Sequence, residues 1–168
     1  MCIRDRSYKL RVNAALYENM RYQTQEQFEH LDFHDSIVSG ISKRESEITI
    51  DLEFANILPE HNENPYKTAK NIEPCKLIFL NVKEAVANLY IETRDNQHVH
   101  PTPDKPLTEE ILEARETVIP CGLTEYTLGG MCDHGWSDWI IRCSGFKLLW
   151  QEFNGDSWFV NWPPEKNV

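Results

Sequence analysis

Three groups of residues in this sequence have types and spacings that chemistry can use. His34 and Asp35 stand side by side in "LDFHDSIVSGI". Given further His and Asp ligands, such a pair holds metal in phosphohydrolases, and alone it can move a proton. His98 and His100 flank Val99. On a strand that spacing sets two imidazoles on one face, half of a zinc or iron site. Cys132, Asp133 and His134 follow one another and would add a thiol, a carboxylate and an imidazole. Drawn together, His34, Asp35, His98, His100 and His134 would be the donors of a small metal-dependent or hydrolytic enzyme.

Context weighs against that assembly. A phosphohydrolase built on a His-Asp pair takes its remaining ligands from a helical bundle, and here the chain turns to strand-like alternation at once. A junction between helix and strand leaves backbone N–H and C=O groups unpartnered, and Asp35 and Ser36 are short side chains able to bond them locally. Phe33, His34, Asp35 and Ser36 therefore read as a structural corner, where Asp35→Ala costs about 1–2 kcal/mol, as for a lost cap. The His98/His100 pair lacks the preceding Gly, following Glu and distant third His of a cupin-type site, and Pro101-Thr102-Pro103 follows it. A carboxylate beside Cys132 would raise its thiol pKa and weaken it as a nucleophile. G-x-S-x-G, P-loop and G-x-G-x-x-G patterns are absent. The expectation is no catalytic residue, no metal and no cofactor.

The aromatic residues are a separate resource. All five Trp fall after residue 135, and Trp136, Trp139, Trp158 and Trp162 are candidates for an exposed binding surface, for a protein hot spot or for stacking sugars. Strand alternation requires that at least two of the five Trp point into the core. A net charge of −10 argues against nucleic acid and anionic membranes and suits a basic protein partner. No apolar run reaches the roughly 20 residues that span a bilayer. Five Cys without a C-x-x-C pair, and no apolar segment after the charged N-terminus, read as reduced thiols in a cytoplasmic protein.

The elements expected to position these residues form an α+β domain. A helix is expected over 9–30, from Val12, Leu16, Met20 and Phe28 at i, i+4 spacing, with a capping box at 24–27. Strands 37–43 and 46–54 make a hairpin, the second alternating Ile48, Ile50, Leu52 and Phe54 inward. Residues 55–74 and 95–106 read as loops, and 75–82 as a buried strand. Residues 83–93 fit helix or strand equally. "LTEEILEARE" predicts a second, short helix with Thr108 as N-cap. Gly129 and Gly130 suggest turns, and Asn154-Gly155-Asp156 a hairpin in the Trp-rich end. The class is thus an N-terminal helix, a mainly antiparallel sheet and one further short helix.

The stretch "FHDSIVSGISKRESEITIDLEF" followed by "CKLIFLNV" resembles a loose group of small bacterial domains. Their pattern is an aromatic-His-Asp-Ser/Ala opening, a hairpin and a later strand of the form L-x-F-x-x-V. The resemblance covers about residues 28–82, and the Gly that commonly precedes the final Val is Asn81 here. Some members are immunity proteins that neutralise polymorphic bacterial toxins. The resemblance implies a bacterial protein-binding domain and brings no catalytic residue with it. The first six residues, "MCIRDR", resemble the translated end of a sequencing-library adapter. That implies an environmental source, a non-native 1–6 segment without core contacts, and a single globular domain over 7–168. The expectation is a non-enzymatic protein-binding domain, of the immunity-inhibitor kind, with a basic partner. A hydrolytic or metal-dependent enzyme and a Trp-lined ligand module are the alternatives.

Overall fold

The structure, a computed structural model, describes residues 19–92, 97–101, 106–107, 109–133 and 135–162. The chain runs through β1 (Tyr22–Thr24), a 3₁₀ turn (Phe28–His30), β2 (Leu31–Asp32), β3 (Ser36–Arg44), β4 (Glu47–Leu52) and β5 (Ala55–Ile57). It continues through β6 (Lys70–Leu80), β7 (Glu84–Glu92), β8 (Gln97–Pro101), β9 (Glu110–Val118), β10 (Thr124–Cys132), β11 (Gly135–Cys143) and β12 (Gly145–Asp156). Pairing is antiparallel throughout, in the order β1-β12-β6-β4-β3-β9-β10-β11-β7-β8, with β5 pairing β2 and β6.

Two bends close this arrangement on itself. β6 continues into β7 through residues 81–83, and β11 into β12 through Ser144. The two bent ribbons pair with each other along both arms, β6 with β12 and β7 with β11. β4 joins one arm and β10 the other, and β3 and β9 complete the circuit, because β3 pairs β9 at Ser36 and Ile37 and β4 thereafter. At the first bend Asn81 has φ 51°. After Gly, Asn is among the residues that enter this left-handed region most readily, so it can stand where the resembled pattern has Gly.

Alternation fills the ring. Ile50, Leu77, Ile111, Leu128, Ile141 and Leu148 are fully buried on the inner face, each worth roughly 1.5–3 kcal/mol of transfer from water. Phe28 closes the core from the 3₁₀ turn, its ring 4.9 Å from Tyr126, 5.0 Å from Phe146 and 5.4 Å from Phe33. Trp139 and Trp150 are also interior.

The α+β expectation is overturned: the described residues contain no α-helix, and the protein is an antiparallel β structure. Of the expected helix 9–30, residues 9–18 lie outside the described residues, as do 1–6. From Asn19 onward the chain is turn, β1 and 3₁₀ turn. Thr24 Oγ1 accepts the Glu26 N–H at 3.2 Å, a local turn in place of a capping box. The second expected helix is β9. Its helical spacing and acidic first turn are local signals, whereas β10 presents backbone groups along its length that only a strand can partner.

The other departures are smaller. Residues 55–57 and 70–74 belong to strands and leave a loop only over 58–69, and β8 crosses the expected 95–106 loop. Asn154 and Gly155 continue β12. Gly129 and Gly130 lie inside β10 at a register shift against β9, where a Cβ on Gly130 would sit 2.1 Å from the Glu110 carbonyl oxygen. The glycine pair marks a close backbone approach, not a chain reversal.

Candidate functional site

The corner begins with Phe33, 1% exposed and packed on Phe28. With that ring fixed in the core, the chain reverses over 33–36, and the Ser36 N–H donates to the Phe33 carbonyl at 2.9 Å. Asp35 takes φ 63°, a conformation that Asp tolerates better than most non-glycine residues. Asp32 steadies the turn from below. Its Oδ1 accepts the His34 N–H at 3.1 Å, and its Oδ2 accepts from Asn56 Nδ2 at 3.2 Å.

The turn holds the His34 imidazole outward. Nδ1 lies 2.9 Å from the Leu112 carbonyl oxygen, an acceptor only, so Nδ1 carries a proton and donates. Nε2 is 3.5 Å from Asp35 Oδ1, and both side chains are about half exposed. The bond to Leu112 raises the His34 pKa above its ordinary value. Partial desolvation opposes this, while Asp35, Asp32 and Glu110 add to the rise. A Ser-His-Asp relay needs a hydroxyl bonded to the imidazole. Ser36 Oγ is fully buried, on the same side of β3 as Val38, and has no hydrogen-bond partner. Asp32 Oδ1 and His34 Nδ1 are spent on the backbone.

The C-terminal turn over 157–162 brings a second element to this corner. The Ser157 N–H donates to the Ala69 carbonyl at 3.0 Å, and the Trp158 ring lies 6.4 Å from that of His34. Since β5 separates β6 from β2, this turn crosses β5, whose Asn56 is fully buried. Trp158 and Trp162 are 49% and 65% exposed, edge to face with centroids 5.6 Å apart. Phe159 meets Trp158 at 5.5 Å. Ile37, 42% exposed, directly follows the corner.

The four Trp candidates are thus divided. Trp139 is in the core at 1% exposure. Trp136 is on the outer face of β11, its Nε1–H bonded to Asp138 Oδ1 at 2.8 Å. Trp158 lies beside His34, and Trp162 packs on Trp158. His98 and His100 fall on β8, opposite Ile91 and Leu89, while their side chains and His134 lie outside the described residues. Cys132 is buried, its thiol donating to the Gly135 carbonyl at 3.3 Å. Among the described residues no group of three or more His, Cys, Asp or Glu could hold a metal ion.

Sequence reasoning passed over His61 and Asn64. They sit in a stretch without periodicity, and no motif marks them. His61 borders a polar cleft of about 440 Å³ with Gln23, Gln27, Asn62 and Glu63. Its Nδ1 accepts the Glu63 N–H at 3.0 Å, so Nε2 carries the proton and donates to the Glu26 carbonyl at 3.1 Å. Burial pushes its pKa below the ordinary value. Asn64 Nδ2 lies 3.0–3.1 Å from the carbonyl oxygens of Ile57, Leu58 and Thr68, and Oδ1 accepts the Tyr66 N–H. Both residues organise the 58–69 loop. No helix among the described residues is long and apolar enough to cross a membrane. Comparison with protein-family models, curated proteins and solved structures finds no match for this chain.

Proposed function

We propose that this chain is a non-enzymatic protein-binding domain of the cytoplasm, an immunity-type inhibitor that neutralises a basic toxin. The observation that carries the reading is the exposed Trp158–Trp162 pair beside the carboxylate-rimmed corner. Large aromatic side chains held in water on a folded surface are the anchors that protein interfaces favour. The formal charge of −10 would steer a basic partner and make association fast and salt-sensitive. The resemblance of residues 28–82 to domains that include immunity proteins points the same way. The commitment of Asp32 and His34 to backbone partners, and the withdrawal of Ser36, weigh against the hydrolytic alternative.

A photo-crosslinking amino acid placed at position 162 tests this in bacterial extract. The expected result is one discrete crosslinked protein, competed by excess unlabelled protein but not by the Trp158→Ser/Trp162→Ser double variant. It should also rescue growth when co-expressed with that partner. A ladder of products that the double variant competes equally well would remove the reading.

A further inference from the structure

Resting on the protein-binding reading, the next question is which side chain of the partner the corner is built to take. Every charged group acting on His34 is a carboxylate: Asp35 and Asp32 from the corner itself and Glu110 from β9. The turn packed on the other side, Ser-Trp-Phe-Val-Asn-Trp over 157–162, carries no charge at all. The half-exposed Trp158 indole, its centroid 6.4 Å from that of His34, thus borders an imidazole on which three carboxylates act. His34, among the described residues the group there able to carry positive charge, is itself about half exposed.

We propose that this corner seats an arginine side chain of the partner protein, with the guanidinium stacked on Trp158 and forked onto the Asp35 carboxylate. Trp is the strongest cation–π face among side chains. A guanidinium is planar and weakly hydrated, and it pairs with a carboxylate through two parallel N–H donors, whereas an ammonium acts as a point charge. Trp162, edge to face with Trp158, would take the hydrocarbon stem. His34 tunes the seat. Neutral, with its proton on Nδ1 held by Leu112, it leaves Asp35 free to pair with the incoming cation. Protonated, it places a positive charge 3.5 Å from the Asp35 oxygen and beside the same indole. Arginine binding should therefore weaken as pH falls through the His34 pKa.

The test follows the five indole N–H signals of ¹⁵N-labelled protein during titration with the blocked tripeptide acetyl-Gly-Arg-Gly-amide. Saturable movement of the Trp158 and Trp162 signals, with Trp139 and Trp150 still, is the expected outcome, at millimolar affinity. The citrulline analogue, isosteric and neutral, should bind at least about fivefold more weakly, and salt near 0.5 M should abolish the effect. Asp35→Asn keeps a residue that tolerates the left-handed turn and should weaken binding about fivefold. Glu110→Gln gives a second reading should Asp35→Asn prove unstable. Equal binding of the arginine and citrulline peptides would overturn the proposal, as would equal binding of the lysine peptide. Movement with a leucine peptide but not with arginine would overturn it while leaving the protein-binding reading in place. If no peptide moves either signal and the crosslink also fails, both fall. Movement on diluting the free protein would mark the patch as a self-association face and likewise overturn the arginine seat.

Discussion

Two polar regions flank the same part of the ring and are built to opposite standards. In the 58–69 loop every lone pair and proton named above has a partner: His61 uses both ring nitrogens, and Asn64 answers three carbonyls and one N–H. At the corner and the turn that crosses β5, Ser36 Oγ, Asn56 Oδ1 and Ser157 Oγ are buried without partners, and two Trp rings stand in water. A buried polar group left unpaired costs about 1–3 kcal/mol. The loop is thus a stabilising device. The corner leaves polar atoms unpaired, as the sheet does at Asn71 Oδ1, Ser137 Oγ and Trp150 Nε1, and it differs from both in holding two Trp rings in water.

Asn64→Ala should give the largest effect, about 2–4 kcal/mol, because it removes two N–H donors shared among three carbonyls and the acceptor of the Tyr66 N–H. Asn56→Ala, losing one bond to Asp32 and one orphaned oxygen, should cost at most about 1 kcal/mol. Urea midpoints at equal m-value compare the two directly. Equal losses would erase the contrast between the regions.

The two histidines should separate next, through the sign of their pH dependence. The folded pKa of His61 is lowered, so the unfolded chain takes up the proton first. Its contribution is complete above the ordinary His value near 6.5 and is lost as pH falls through that value towards the folded pKa. The folded pKa of His34 is raised. Its contribution is complete below about 6.5 and fades as pH rises through the folded value. Unfolding midpoints followed from about pH 5 to pH 8 should lose their acid-side slope in His61→Gln and their alkaline-side slope in His34→Gln. A slope unchanged in either variant counts against the assigned environment of that histidine.

How far these features were legible depends on the range of the interaction that fixes them. β4 reads directly from Ile48, Ile50 and Leu52, whose period of two is the buried face, although Thr49 on the other face is buried as well. β9 does not. Thr108, Glu109 and Glu110 give a helix start by every local rule, and only the register with β10, a tertiary fact, makes Glu110–Val118 a strand. The chain reverses where the sequence suggested a corner, but by other means. Asp32 Oδ1 accepts the His34 N–H, Asp35 supplies a left-handed backbone, and the Ser36 hydroxyl is unpartnered among the described residues. The approach of the corner to Trp158 was not legible, because that contact depends on a β12 long enough to deliver the turn across β5. His61 and Asn64 were illegible for a related reason: their partners include Glu26 and Thr68, joined to them by backbone carbonyls, which carry no sequence signal.

Smaller effects test the corner itself. Ser36→Ala removes a fully buried hydroxyl that bonds nothing and should leave stability unchanged or raise it by up to about 1 kcal/mol. A loss above that size would mean the hydroxyl has a partner after all. The smallest expected change is also the most informative. Trp162, 65% exposed, contributes mainly its contact with Trp158, so Trp162→Ser should move the unfolding midpoint by no more than about 0.5 kcal/mol. A large indole in water with so little stake in the fold has no structural reason to be an indole. Serine there should leave circular dichroism and thermal unfolding unchanged while the variant no longer competes with the crosslinking protein for its partner. If stability falls by as much as for Asn64→Ala, Trp162 is a structural residue, and the contrast between the loop and the corner disappears with it.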